Sequence, residues 1–186
     1  MTAYFQLSMM AILLLFLPAC AENAPAPKPV SSTENMAPAL FYLVRHAEKA
    51  DDGSSNPPLN AKGEARAKAL QEMLSGAGID AIYTTPYLRN TSTVQPLADS
   101  IGLPAQEYDP NLDLVTLIDS LRAAHPGERV LICGHSNTVP GMLNVLAGRN
   151  RYEQLGEMEY DFLFLAAVPP TGPAAISMVT FSPATE

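Results

Sequence analysis

The sequence predicts an α/β fold, a three-layer α/β/α sandwich with a mostly parallel central sheet and an antiparallel edge at its C-terminal end. From residue 39 onward, short apolar runs of strand length alternate with amphipathic segments of helical length. That alternation is typical of a parallel sheet covered by helices on both faces. The last two apolar runs, residues 160–167 and 174–181, have no helix between them and predict a hairpin at the sheet edge.

The first strand and the first helix are predicted within residues 40–75. Residues 40–44 are all leucine, valine or aromatic and lead into Arg45, which indicates a buried strand. Asn60 is suited to the N-cap of a helix, because apolar side chains recur after it at helical spacing as far as about Ser75. Gly76 is suited to the end of that helix.

Three further strand–helix pairs are predicted before the final hairpin. Residues 79–84 form a strand, and Thr85-Pro86 then supplies a cap and a proline suited to the first helical position. A strand at residues 105–108 precedes a helix at 111–124. Residues 130–133 form the clearest strand of the chain, and a helix follows at 138–146.

The N-terminal segment predicts export from a bacterial cell. Residues 1–21 carry no charged side chain, and the apolar run at 9–17 has the length of a signal peptide, too short for a membrane span. Cys20 follows that run, which favours a lipoprotein signal in which Cys20 is acylated and becomes the mature N-terminus. Cleavage after Ala21 and an uncleaved apolar anchor are the two alternatives.

Three regions are therefore expected along the chain. Residues 1–21 are a signal peptide, residues 22–38 form a tether rich in proline, alanine and serine, and residues 39–186 form the folded domain. A lipid on Cys20 would be the domain's only contact with a membrane. It would hold the domain in the cell envelope, facing the periplasm or the cell exterior.

The charge of the chain narrows the class of partner. Eleven lysines and arginines stand against 19 aspartates and glutamates, which gives a formal net charge of -8. A chain without a basic stripe does not neutralise the phosphates of a nucleic acid. The predicted partner is a small molecule, and positive potential is confined to a few arginines.

Two histidines lie where predicted strands end. His46 follows the first strand and His135 follows the strand at 130–133. Because ligands bind beyond the carboxyl ends of parallel strands, one sheet can bring both into a single pocket. Arg45 adjoins His46, and Arg89 lies in the first turn of the predicted second helix. Arginine binds phosphate oxygens in pairs and stays charged, so the pattern predicts a phosphate site.

Three segments carry a resemblance to a known family. Residues 43–48 (LVRHAE), 84–89 (TTPYLR) and 134–137 (GHSN) resemble, in order and spacing, the signature segments of the histidine phosphatase (phosphoglycerate-mutase-like) superfamily. Residues 58–63 (PLNAKG) resemble the family's lead into its first helix, and the similarity covers residues 40–147. The compact, mutase-like branch is the more similar one, because Ser136 follows the second histidine where acid phosphatases carry aspartate.

The resemblance implies an activity and a set of roles. His46 would attack the phosphoryl group of a phosphomonoester, or of phosphohistidine, and become phosphohistidine itself, without a metal or cofactor. Arg45, Arg89 and a protonated His135 would bind the phosphoryl oxygens. Ser136 and Asn137 lie at the start of the next predicted helix, where backbone N–H groups also attract anions.

The acid that protonates the leaving group is less sharply defined. In the mutase-like branch it follows the third strand, which makes Asp109 the first candidate and Glu107 the second. Glu48 is the third. The segment around Asp109 is also a good turn and helix cap, so a structural role competes with the catalytic one.

Two other classes of function remain open. One is a metal-dependent hydrolase that uses His46, Glu48 and His135 as ligands, against which the two arginines argue. The other is a catalytically weak lipoprotein that binds a phosphorylated ligand. Cys133 is expected to be a small buried hydrophobe and His125 a bystander at the surface.

Overall fold

A computed structural model of the chain describes residues 37–183. The predicted signal peptide, Cys20 and nearly all of the predicted tether lie outside the described residues and stay predictions. Within residues 37–183, no helix is long and apolar enough to cross a membrane.

Six strands and four helices alternate as the sequence predicts. The strands are β1 (Ala39–Arg45), β2 (Ala81–Thr84), β3 (Ala105–Glu107), β4 (Arg129–Gly134), β5 (Phe162–Val168) and β6 (Ala175–Thr180). The helices are α1 (Ala61–Leu74), α2 (Leu88–Ile101), α3 (Leu114–Ala124) and α4 (Thr138–Ala147). The sheet order is β3-β2-β4-β1-β5-β6. Neighbouring strands among the first four pair in parallel, and the β1–β5 and β5–β6 pairs are antiparallel. The predicted α/β fold and its antiparallel C-terminal edge are confirmed.

The central strands of the sheet are buried on both faces. Along β1, Phe41 and Leu43 pack into the cluster that includes Leu117 of α3, while Val44 packs on the other face against Leu70 of α1. Successive side chains of a strand point to opposite faces, so a strand covered on both sides is apolar at every position. This is why β1 and β4 appear in the sequence as unbroken apolar runs.

Helix α2 begins later than the sequence predicts. Thr85-Pro86 was expected to start it, but Tyr87 is the N-cap residue, with extended backbone and no capping side chain. The first helical N–H, that of Leu88, donates instead to Oδ1 of Asn56, 3.0 Å away. The cap therefore comes from a distant loop and leaves no local signal.

Helices α1 and α3 are capped by their own sequence. The Oδ1 atom of Asn60 accepts the N–H of Gly63 at 2.9 Å, as predicted. Helix α3 begins at Leu114 and not at residue 111, because Asp113 caps it by accepting the N–H of Thr116 at 3.0 Å.

Candidate active site

The two histidines are brought together by the pairing of β1 with β4. Arg45 lies in register with Gly134, and the N–H of His46 donates to the Gly134 carbonyl at 3.0 Å. His46 and His135 therefore leave the sheet side by side, with ring centroids 5.4 Å apart. The prediction that these two strand ends lie side by side is confirmed.

A cavity of about 420 Å³ opens at this edge of the sheet. Its lining contains all five residues predicted to bind phosphate, Arg45, Arg89, His135, Ser136 and Asn137, together with His46. The other lining residues are Lys49, Tyr87, Pro110, Asn111, Thr138 and Glu157. A larger surface groove of about 880 Å³ lies beside α3 and α4 and contains neither histidine, so the chemistry belongs to the smaller cavity.

His46 is held neutral, with one nitrogen free. Its Nδ1–H donates to the Ala47 carbonyl at 2.8 Å, so Nε2 carries the lone pair of the neutral ring. Burial lowers the pKa of His46 to about 3, against the raising effect of the Ala47 bond and with added lowering from the charges of Arg89 and Arg45. At pH 7 the ring is therefore an uncharged nucleophile.

His135 is also neutral at pH 7. Burial, followed by the charges of Arg89 and Arg45, lowers its pKa to about 4, and its Nε2 is hydrogen-bonded to Oγ1 of Thr85 at 3.1 Å. Without a bound anion, these shifts disfavour the protonated form that the sequence analysis assigns to His135. A phosphate dianion in contact with this ring would favour the protonated form, because opposite charge raises the pKa of histidine.

Arg45 is fixed by carbonyl groups. Its Nη1 donates to the carbonyl oxygens of Gly156, Glu157 and Glu159 at 2.8, 3.2 and 3.1 Å, and Cζ lies 4.0 Å from the Tyr160 ring centroid. These contacts orient the guanidinium without cancelling its charge. Its Nε is buried and has no acceptor among the described residues.

Arg89 supplies the second guanidinium. It is half-buried in the first turn of α2, with Cζ 4.4 Å from the Tyr87 ring centroid. Burial lowers the pKa of Arg89 below its usual value, yet an arginine stays charged at pH 7. None of the ion pairs within residues 37–183 includes Arg45 or Arg89. The cavity lining thus includes two guanidinium groups that form no ion pair with a described carboxylate.

The first two acid candidates do not reach the cavity. Asp109 is exposed, and its Oδ1 accepts both the backbone N–H of Asn111 at 2.9 Å and the Asn111 side chain at 3.2 Å. Its carboxylate therefore stabilises the turn, while Pro110 and Asn111 of that turn line the cavity. Glu107 is exposed at the end of β3 and is also absent from the lining.

The third acid candidate is engaged elsewhere. Both oxygens of Glu48 accept from Arg66, at 2.9 and 2.8 Å, and Lys62 lies 3.3 Å away. Burial raises the pKa of Glu48, but hydrogen bonds and charge from Arg66, with Lys62, bring it below its usual value. Glu48 is therefore ionised at pH 7, and its oxygens are unsuited to the metal site that joins it to His46 and His135. The described residues contain no group of three possible metal-ligating side chains.

One protein-family model matches part of this chain. The model of the histidine phosphatase superfamily (branch 1) matches residues 41–113, which include the first two of the three signature segments. The match supports the superfamily that the motifs predict. Among curated proteins, none matches this chain.

Several solved structures share the fold. The protein histidine phosphatase SixA, solved with tungstate, has a TM-score of 0.64 at 20% identity and covers 77% of this chain and 97% of its own. A mycobacterial glucosyl-3-phosphoglycerate phosphatase has a TM-score of 0.63 at 13% identity, with coverages of 77% and 99%. YhfR from Bacillus stearothermophilus has a TM-score of 0.61 at 17% identity, with coverages of 75% and 95%. These likenesses show that the chain shares the fold of these proteins.

Several residues of this cavity were not predicted. Lys49 adjoins the first signature segment and Tyr87 lies within the second, so their position in the sequence was an available signal. No sequence signal indicated Glu157, because it reaches the cavity from the irregular loop before β5.

Two side chains outside the cavity were also given expectations. His125 was predicted to be a surface residue, which is wrong: it is 9% exposed, with Nε2 bonded to the Tyr83 hydroxyl at 2.9 Å and Nδ1 to Glu128 at 2.7 Å. Cys133 is fully buried, as predicted, and burial raises the pKa of its thiol to about 12. Cys133 is therefore no nucleophile at pH 7.

Proposed function

We propose that this chain is a metal-independent phosphatase that hydrolyses phosphomonoesters or phosphohistidine through a phosphohistidine intermediate on His46. The observation that carries the proposal is a neutral imidazole whose Nδ1–H is held by Ala47, beside two arginines without carboxylate partners. Its Nε2 lone pair is the nucleophile that such a reaction requires. The superfamily match and the phosphatases of similar fold support the same class of reaction.

The first step forms the bond between phosphorus and His46. The phosphoryl oxygens bind Arg45 and Arg89, whose fixed charges stabilise the transition state without reorganisation. Nε2 attacks phosphorus in line, the P–N bond forms, and the bond to the leaving group breaks. The imidazole becomes positive, and the Ala47 carbonyl that accepts from Nδ1–H stabilises that charge.

The second step restores the histidine. Water attacks phosphorus, the P–N bond breaks, and its electron pair returns to Nε2 of His46. Inorganic phosphate then leaves the cavity. The two arginines serve both steps, because the charge on the three outer phosphoryl oxygens is similar in each.

The lining of the cavity favours substrates with good leaving groups. None of the three predicted acids lines it, and its only carboxyl group among the described residues is that of Glu157, in the irregular loop before β5. A general acid usually contributes about 10² to 10⁴ to a rate. Phosphohistidine and aryl phosphates depend least on such an acid. The fold shared with the protein histidine phosphatase SixA supports this preference.

A comparison of three substrates in excess EDTA tests the proposal. The full chain is expected to hydrolyse phosphohistidine and an aryl phosphate with EDTA present, and an alkyl phosphate slower by about 10²-fold or more. Asp109→Asn is expected to leave all three rates near those of the wild type. The matched variant Asp119→Asn changes an exposed aspartate on α3 and controls for lost charge.

Other outcomes of that comparison identify the alternatives. Activity lost to EDTA would indicate the metal-dependent hydrolase. Selective slowing of the alkyl phosphate by Asp109→Asn would restore Asp109 as the acid. Tight vanadate binding without turnover would indicate the phospho-ligand-binding protein.

The lowered pKa of His46 predicts the pH dependence of turnover. The neutral ring is the active form, so acid inactivates the enzyme only as the pH approaches the lowered pKa, about 3. Corrected for ionisation of the substrate, kcat/KM is expected to stay flat between about pH 7 and 5.5, although an ordinary histidine with a pKa of about 6.5 would be mostly protonated at the lower value. A tenfold fall per pH unit below about 6.5 would contradict the assignment.

A further inference from the structure

Thr93 connects the backbone next to His46 to the backbone of Arg89. Its Oγ1 accepts the N–H of Ala47 at 2.9 Å and donates to the carbonyl of Arg89 at 2.7 Å. The residue is 2% exposed, and Ala47 is fully buried. One hydroxyl therefore links the loop after β1 to the first turn of α2.

The Ala47 end of this link bears directly on His46. The carbonyl of Ala47 accepts the Nδ1–H of His46 at 2.8 Å, and that bond decides which nitrogen carries the lone pair. The N–H of the same residue is bound by Thr93. If the hydroxyl is lost, a buried N–H has no acceptor there, and the backbone around Ala47 shifts to find one.

The Arg89 end sets the distance to the arginine. Thr93 follows Arg89 by one helical turn, and a threonine hydroxyl that bonds to the carbonyl one turn earlier is common in helices. By itself, the bond from Thr93 to the Arg89 carbonyl would only stabilise the helix. Its combination with the Ala47 N–H is what couples the two halves of the site.

We propose that Thr93 is a positioning residue for phosphoryl transfer. Its hydroxyl fixes the backbone at Ala47, keeps His46 in the Nδ1–H tautomer with Nε2 directed at the phosphoryl group, and sets the placement of Arg89 relative to that nitrogen. The inference rests on the proposed function, since it concerns the same nucleophile.

Three variants of the full chain test this role. Thr93→Val keeps the shape and removes the hydroxyl, and Thr93→Ser keeps the hydroxyl. Thr91→Val is the matched control, because the Thr91 hydroxyl donates only to carbonyls of its own helix, at 3.1 Å to Leu88 and 3.4 Å to Tyr87.

Thr93→Val is expected to lower kcat for an aryl phosphate by roughly 10- to 100-fold while KM changes much less, because small displacements of reacting groups cost rate. Thr93→Ser is expected to restore most of the rate, and Thr91→Val to match the wild type. Nitrogen-15 NMR is expected to show the His46 Nδ1–H tautomer in the wild type and in Thr93→Ser, and a mixture of tautomers in Thr93→Val.

The inference is overturned if folded Thr93→Val keeps the kcat and the His46 tautomer of Thr91→Val. If Thr93→Val does not fold, the wild-type spectrum and the Thr93→Ser variant test the inference instead. An Nε2–H tautomer of His46 in the wild type would then overturn the inference. An inactive wild type would instead defeat the proposed function, whereas an active wild type with an unaffected Thr93→Val defeats this inference alone.

Discussion

His46→Ala is expected to reduce turnover by at least about 10³-fold, the scale on which loss of a covalent nucleophile is felt. Neither Cys133 nor His135 is suited to replace it at pH 7. The Cys133 thiol is buried and keeps its proton, and His135 lies beside the phosphoryl site with its Nε2 bonded to Thr85. Steady-state hydrolysis of an aryl phosphate measures the loss.

The binding of phosphate by the same variant is the internal control. Arg45 and Arg89 remain in His46→Ala, so inorganic phosphate or vanadate should still bind to a folded protein. Turnover within about tenfold of the wild type would remove His46 from the mechanism. His125→Ala is a poor control, because it would leave the Tyr83 hydroxyl and Glu128 without their shared partner.

Arg45→Ala is expected to lower kcat/KM by about 10² to 10³, the usual effect of removing one preorganised donor from a developing negative charge. The variant also frees three carbonyl oxygens of the loop at residues 156–159, so part of its effect is loss of order in that loop. Arg45→Lys separates the two causes. Lysine keeps the positive charge but cannot bind carbonyls with one nitrogen and phosphate with another.

A remote arginine supplies the matched comparison for Arg45. Arg149 is exposed after α4 and does not line the catalytic cavity, so Arg149→Ala should keep wild-type kcat/KM and vanadate affinity. Arg45→Lys is expected to lose most of what Arg45→Ala loses. Equal kinetics for Arg45→Ala and Arg149→Ala would contradict the phosphate-binding role.

The sequence predicted the fold and the core of the site because both depend on simple periodic patterns. Strands buried on two faces are apolar throughout, and their carboxyl ends meet at one edge of the sheet. That rule alone placed His46 beside His135, although β1 and β4 are far apart in the chain.

What the sequence did not predict depends on the direction of single side chains and on irregular loops. A turn-forming aspartate and a catalytic one have the same sequence pattern, and only the structure shows that Asp109 faces its own turn. The partners of Arg45 and of His125 likewise come from distant segments, as does the Asn56 cap of α2. No local pattern encodes such contacts.

The measurement that tests the central claim most directly is trapping of the phosphoenzyme. The full chain and His46→Ala are mixed with radiolabelled substrate, quenched in alkali within one turnover, digested and mapped. Label on His46 that is stable in alkali, labile in acid and absent from the variant is the predicted result. Turnover without any labelled intermediate, or label on another residue such as Ser136, would contradict the account.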